Sequence, residues 1–352
     1  MTKNDHYPSI EFTLMDTKST PLNLLASPMT MEEVMLIYQE DISSVELKIQ
    51  ESLSSKINLI NDVFSYILKS GGKRFRPLLL IIISRLFNYK GIDHITLASV
   101  IEFIHTATLL HDDVVDDASL RRGKKAARMV WGNQASILVG DYLFSRAFIE
   151  AVSLKKNDIN SLLSKTCQTL SEGEILQLIH TNDFSMKEKD YLDIIEFKTA
   201  SLISLACRLG GLIASAGKND LEALSRYGLN LGIAYQMADD TLDYTAEKEQ
   251  LGKTMGQDFK EGKITLPLLH LISHCTSKEK KKIEEMFNMD RLTEKELEFI
   301  QELFGEYRSI DYALNQAECF SEKAKQNLSS FLPSTHKNAL IVIADYVITR
   351  NR

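Results

Sequence analysis

An all-α fold in a single domain is what this sequence predicts, on three observations. Apolar residues recur at the 3.6-residue period of a helix throughout the chain, and runs of alternating Val, Ile and Thr are scarce. Three of the six prolines (Pro8, Pro21, Pro28) lie in the first 28 residues, and between Met29 and Leu332 only Pro77 and Pro267 occur. Both open an apolar run, where a first helical turn tolerates proline. No linker-like segment divides the chain. Residues 29–352 therefore read as one domain, and the polar residues 1–28 as a tail, poorly ordered or wrapped on the surface.

Taken in order, helices are expected at 31–69, 77–88, 94–118, 133–155, 158–181, 187–216, 219–248, 264–275, 277–288, 293–330 and 335–350. The second holds the longest apolar run, Leu78 to Ile83. The third contains TLASVIEFIHTATLL (Thr96 to Leu110) and is apolar enough to be buried. Gly91, Gly217 and the Gly252–Gly262 stretch mark breaks, Asp220 is a candidate cap, and Thr293 with Glu296 a candidate capping box.

Composition narrows the class. With 44% apolar and 25% charged residues the chain has the balance of an ordinary soluble globular protein. A net charge of −7 argues against nucleic acid as a partner, because phosphate backbones demand an excess of Lys and Arg. Cys167, Cys207, Cys275 and Cys319 form no CxxC pair and read as reduced thiols, not a zinc site. The first fifty residues lack arginine, and Asp5, Glu11 and Asp16 interrupt any transit-like helix. No apolar run approaches the ~20 residues of a membrane span. A cytoplasmic protein is expected, with at most peripheral membrane contact.

The charged residues cluster. His111 to Gly123 reads HDDVVDDASLRRG, placing Asp112, Asp113, Asp116 and Asp117 directly before Arg121 and Arg122. On a helix Asp112 and Asp116 share a face, and like charges so spaced repel unless a cation sits between them. One such cluster reads equally as a solvated acidic helix end. The pattern recurs, however, as Asp239, Asp240 and Asp243 (DDTLD) after the apolar stretch Tyr227 to Ala238. Basic runs accompany both. RRGKKAAR follows the first cluster, and LGKTMGQDFKEGKITLP, with Lys253, Asp258, Lys260 and Lys263 among three glycines, follows the second. Upstream, GGKRFRP offers Lys73, Arg74 and Arg76 beside two glycines that free the backbone to bend. Carboxylates suit Mg²⁺, and lysines and arginines suit the phosphate oxygens a metal leaves exposed. His105, Gln177, Lys198, Thr199 and Gln236 sit on helices, where core or solvent-facing roles stay open.

In order and spacing, GGKRFRP, HTATLLHDDVVDDASLRRG, KTA, YQMADDTLDY and GKTMGQDFKEGKITLP resemble the motifs of the trans-type polyprenyl diphosphate synthases, from about residue 30 onward. Departures are small: Tyr235 stands where phenylalanine is usual, and Lys125-Ala126 replaces a common Pro-Thr. The resemblance implies a helical bundle around a central cavity, usually a homodimer. It implies that isopentenyl diphosphate condenses head-to-tail onto an allylic prenyl diphosphate. Asp112, Asp113, Asp116, Asp239, Asp240 and Asp243 would hold Mg²⁺, three ions per site with diphosphate bound. Arg121, Lys198, Lys253 and Lys263 would grip the allylic diphosphate, and Lys73, Arg76, His105 and Arg122 the isopentenyl one. Thr199 and Gln236 would flank the reacting carbons.

Within the resemblance, Ala107 is five residues before Asp112, ~7.5 Å deeper along a helix, and Thr108 is four before it. An aromatic residue at the five-before position tends to stop chain growth in the family. Alanine there implies an open tunnel and a long product, about seven to ten isoprene units. The alternatives are a shorter-chain farnesyl or geranylgeranyl diphosphate synthase, or the catalytic subunit of a heteromeric enzyme. A terpene cyclase is disfavoured by the intact DDTLD, a non-catalytic subunit by the full set of aspartates and arginines. A plain metal-binding helical protein would leave the basic loops unexplained.

Overall fold

The computed structural model describes residues 29–53, 55–69, 71, 74–245, 257–287, 289 and 293–349. The tail expected at residues 1–28 lies outside them. Helices dominate: α1 (Met31–Ile37), α2 (Gln39–Ser52), α3 (Asn58–Lys69), α4 (Phe75–Leu86), α5 (Asp93–Val115), α6 (Ala127–Ser153), α7 (Asn157–Ile179) and α8 (Glu188–Ile195). Then come α9 (Ser201–Ile213), α10 (Lys218–Thr245), α11 (Gln257–Lys260), α12 (Leu266–His274), α13 (Ser277–Phe287), α14 (Glu294–Glu306), α15 (Ser309–Asn327) and α16 (Thr335–Thr349).

α4 lies at the centre because it is apolar all round: every residue from Leu78 to Ile83 is fully buried. It packs on α5, α9 and α16, while α5 packs on α6 and α10 on α9 and α15. The core is thus a layer of long helices around α4 and α5. Among the described residues no helix is long and apolar enough to cross a membrane, and the four cysteines are unpaired.

Several expected helices are divided. The 31–69 segment breaks at Tyr38, whose hydroxyl meets His336 Nδ1 at 2.6 Å, and again after Ser52, where Leu53 turns inward and is buried. The 293–330 segment breaks at Arg308, which adopts φ 53°. Each break lets the chain bury apolar residues on a new face, a demand that local periodicity does not register. Residues 187–216 are interrupted by one π-helical turn, Glu196–Ala200. α6 starts earlier than expected and bends at Gly132. Asp220 lies in the first turn of α10 instead of capping it, whereas Thr293 and Glu296 form the expected capping box.

A two-stranded hairpin was not expected. Strands β1 (Leu120–Arg121) and β2 (Lys124–Lys125) pair antiparallel. Arg122 and Gly123, with φ 51° and 75°, make the two-residue turn of positive φ that matches strand twist. Tyr66 of α3 anchors it by donating to the Lys125 carbonyl at 2.8 Å.

Asp41 joins α2 to α4 and α5. Arg85 donates to both its oxygens, at 2.7 and 3.1 Å, and His94 approaches at 3.4 Å. Burial would raise the Asp41 pKa, but the bonds from His94 and Arg85 outweigh it and hold the carboxyl at about 2, below its ordinary 3.8. A depressed pKa adds stability above the unfolded value, and that stability is lost as pH falls toward the folded one. Asp41→Asn should therefore cost about 1.5–3 kcal/mol at neutral pH, the worth of a charged hydrogen bond. The deficit should shrink between about pH 4 and pH 2, as read by urea unfolding across that range; a pH-independent deficit would contradict the pairing.

Candidate active site

α5 ends at Val115 with Asp116 as its C-cap, so Asp112, Asp113 and Asp116 lie at a helix C-terminus. Asp239, Asp240 and Asp243 occupy the last turns of α10. The helix dipole is negative at these ends, so it adds to the repulsion among the carboxylates. Cations answer it. Arg121 Nε, on the hairpin, donates to Asp113 at 2.5 Å. Lys263 Nζ, after α11, lies 2.8 Å from Asp116 and 2.7 Å from Glu261, and it lines a cavity of about 120 Å³ together with Asp240 and Asp258. Burial lowers the Lys263 pKa, but Asp116, Glu261 and Asp258 more than offset it and hold the amine above its ordinary value. Lys263 therefore links the first acidic cluster to the wall formed by the second.

The second cluster is wired from below. Asp240 is buried and both its oxygens are bonded, one to the Tyr191 hydroxyl and one to the Gln236 amide, each at 2.7 Å. Thr199 in turn donates to Gln236 Oε1 at 2.8 Å. Burial still pushes Asp240 up, to about 6. Asp243 accepts from the Asp258 amide at 3.0 Å.

Lys198 and Thr199 sit on the π-helical turn, where the extra residue redirects side chains from the helical register. α7 approaches this turn closely because residue 173 is glycine: a Cβ there would stand 2.6 Å from the Lys198 nitrogen. Lys198 Nζ pairs with Glu174 at 2.8 Å. Burial, aided by Asp112 and Asp116 and opposed by Lys198, pushes Glu174 up to about 7.

A second cavity, about 150 Å³, is lined by Arg76, His105, Thr108, Leu109, His111, Asp112, Phe144, Leu170, Ser171 and Glu174, and it shares Lys198 and Thr199 with the first. Arg76 Nη1 is 3.3 Å from His105 Nε2. Arginine only donates, so that nitrogen accepts and His105 carries its proton on Nδ1. Burial, together with Arg76, Arg122, Arg121 and Arg74, holds the His105 pKa well below 6.5, which keeps the ring neutral. Its lining combines the cations Arg76 and Lys198, the carboxylates Asp112 and Glu174, and the apolar Leu109, Phe144 and Leu170.

The polyprenyl synthetase family model matches residues 57–304. The chain belongs to the polyprenyl synthetase family. It is 39% identical to the octaprenyl diphosphate synthase of Escherichia coli over 327 residues, covering 92% of this chain and all of that protein. The crystal structure of a polyprenyl synthase from Caulobacter crescentus, complexed with calcium and isoprenyl diphosphate, superposes with TM-score 0.88 at 37% identity, covering 93% of this chain and 99% of that one. A decaprenyl diphosphate synthase from Rhodobacter capsulatus superposes with TM-score 0.87 at 35% identity, covering 92% and 99%.

Of the residues singled out in the sequence, Arg76, His105, Thr108, Asp112, Lys198, Thr199, Gln236, Asp240 and Lys263 line the two cavities, whereas Asp113, Asp116, Arg121, Arg122, Asp239 and Asp243 are not in either lining. Lys73 and Lys253 lie outside the described residues. Arg74, grouped with the phosphate-binding cations of its loop, instead turns inward and pairs with Glu102 at 2.9 Å. Of the two chain-length positions, Thr108 lines the second cavity, and Ala107 is fully buried beyond its lining. Glu102, Glu174, Tyr191 and Asp258 were not among the residues assigned to the site. For Asp258 its place among the loop lysines was the available signal; for the others there was none.

The donor set fits a hard divalent cation. Among the described residues no three His, Cys, Asp or Glu side chains converge tightly enough to hold a metal alone. Mg²⁺ does not require that, since it keeps waters and shares substrate phosphates. Asp112 is half-buried without an ion pair among the described residues, and the clusters already draw Lys263 and Arg121. Gly173→Ala should push the π-helical turn away and lower turnover at least tenfold with the helix content of circular dichroism unchanged. Wild-type turnover in that variant would show that the close approach is dispensable.

Proposed function

We propose that the chain condenses isopentenyl diphosphate with an allylic prenyl diphosphate to give a long all-trans polyprenyl diphosphate. The observation that carries this is that Lys263, paired with Asp116 of the first aspartate cluster, lines with Asp240 of the second a cavity that shares Lys198 and Thr199 with another holding Arg76, His105 and Asp112. Asp112, Asp113, Asp116 and Asp239 would hold Mg²⁺, three ions per site once diphosphate is bound. Asp240 and Asp243 would support from behind, since Asp240 is already bonded to Tyr191 and Gln236. When bound, the metal supplies Lewis-acid stabilisation of the charge on the departing diphosphate.

The chain's own residues account for the rest. Arg121, Lys198, Lys253 and Lys263 neutralise the leaving diphosphate as the allylic C–O bond breaks. Arg76, His105, Arg122 and Lys73 hold isopentenyl diphosphate with its alkene toward the resulting carbocation. A carbon–carbon bond then forms, and a proton leaves the former isopentenyl unit for the released diphosphate. The Nε2 of His105 accepts from Arg76 and orients it. Thr199 and Gln236, bonded to each other, present fixed dipoles to the reacting carbons. Leu109, Phe144 and Leu170 exclude water from the cation.

Residues 29–352 form one domain in this reading, and the protein works in the cytoplasm, touching the membrane at most peripherally. A second copy of the chain is its proposed partner. Leu138, Ile149 and Val152 of α6 and Ile175, Leu178 and Ile179 of α7 form exposed apolar stripes suited to a symmetric contact.

Incubation with Mg²⁺, farnesyl diphosphate and labelled isopentenyl diphosphate, with product length read by chromatography, tests the activity; no elongated product would refute it. Asp112→Ala and Asp239→Ala should each lower turnover by orders of magnitude while the fold is retained, because removing a carboxylate relieves repulsion. Near-normal turnover in both would sink the two-cluster mechanism. Arg76→Ala should raise the Michaelis constant for isopentenyl diphosphate and Arg121→Ala that for the allylic primer, each by about 1.5–3 kcal/mol of lost charged hydrogen bonding. Effects of both on the same substrate alone would reverse the subsite assignment.

The tail is proposed to grow past Thr108 and Ala107, displacing Phe144 and Leu170, toward about seven to ten isoprene units. Thr108→Phe and Ala107→Tyr should then shorten the product to about three or four units with the first condensation intact. A wild-type product already that short, or unchanged lengths in both variants, would refute this path.

A further inference from the structure

A buried carboxylate beside an anion-binding pocket is electrostatically unfavourable, yet Glu102 occupies such a position. It lies on α5 one turn before His105 and is 6% exposed. Arg74 Nη1 donates to it at 2.9 Å, and Glu46 stands 3.5 Å from Arg74 Nε on the outer side. Glu102 also acts at a distance on Arg76 and Arg122. Arg74 is the N-cap of α4 and holds φ 47°, a left-handed conformation that a non-glycine residue keeps only when its surroundings impose it. Arg76 follows two residues later in the first turn of the same helix. The pair therefore fixes the backbone from which Arg76 projects.

We propose that Glu102 is a positioning residue for isopentenyl diphosphate. Through Arg74 it holds the start of α4 in the conformation that presents Arg76 to the diphosphate. By engaging Arg74 it also keeps that guanidinium from drawing the diphosphate out of line. The inference rests on the assignment of Arg76, His105 and Arg122 to isopentenyl diphosphate.

Steady-state kinetics of Glu102→Gln and Arg74→Gln, with each substrate varied in turn, distinguishes positioning from charge. If Glu102 acted only through its charge, Glu102→Gln would lower the Michaelis constant for isopentenyl diphosphate, and Arg74→Gln would raise it. Positioning requires both variants to raise that constant, by tenfold or more, with the constant for farnesyl diphosphate within twofold of wild type. Should Glu102→Gln fail to fold, Glu102→Asp, which keeps the charge but shortens the reach to Arg74, takes its place: a selective tenfold rise in it supports positioning and an unchanged constant overturns it, whereas a rise in Arg74→Gln alone would fit charge equally. An unchanged or lowered isopentenyl diphosphate constant in either folded variant, or an equal rise for both substrates, overturns it. Arg76→Ala, measured alongside, separates this from failure of the underlying assignment. If Arg76→Ala leaves the isopentenyl diphosphate constant unchanged, the subsite is misassigned and the proposal falls with it.

Discussion

The site is governed by the repulsion among carboxylates gathered at the negative ends of two helices. α5 and α10 each finish in aspartates, so helix dipole and like charge act in the same unfavourable direction. Lys263 and Arg121 relieve this by pairing with Asp116 and Asp113. The same two cations are assigned to the allylic diphosphate. In the proposed reading Asp112, Asp113, Asp116 and Asp239 would hold Mg²⁺, whose charge would offset the same repulsion and leave Lys263 and Arg121 for the phosphate oxygens.

Several of the site's charges project from irregular backbone. Arg74 and Arg122 adopt left-handed conformations, Lys198 and Thr199 project from a π-helical turn, and Arg121 rides on a two-residue hairpin. Such conformations cost about 1–3 kcal/mol each and persist where surrounding contacts over-determine them. Here the contacts are specific: Glu102 for Arg74, Tyr66 for the hairpin and Gly173 for the π turn. The regular core supplies the rigidity. α4 and α5, buried together, hold Arg76 and His105 on adjoining helices so that the two side chains meet within the cavity.

The sequence alone determined the all-helical class, the apolar run 78–83 and the burial of 96–110, which follow from the period and composition of neighbouring residues, and the family, which follows from the order and spacing of its motifs. It did not determine where the long segment 31–69 breaks, because Tyr38 meets His336, far along the chain, and Leu53 turns inward to be buried. Nor did it show a hairpin of two-residue strands, too short to leave an alternating pattern.

Which charge meets which was decided by tertiary structure. Arg74 and Arg76 are two residues apart in one basic loop, yet one pairs with a buried glutamate and the other faces the cavity. Glu174, Tyr191 and Glu102 carry no local signature, and they matter because α7, α8 and α5 bring them against Lys198, Asp240 and Arg74. Thr108 and Ala107 are adjacent on one helix, and packing alone puts the first on the cavity wall and the second in the core. Spacing along a helix specifies a face, but what that face meets depends on the helices packed against it.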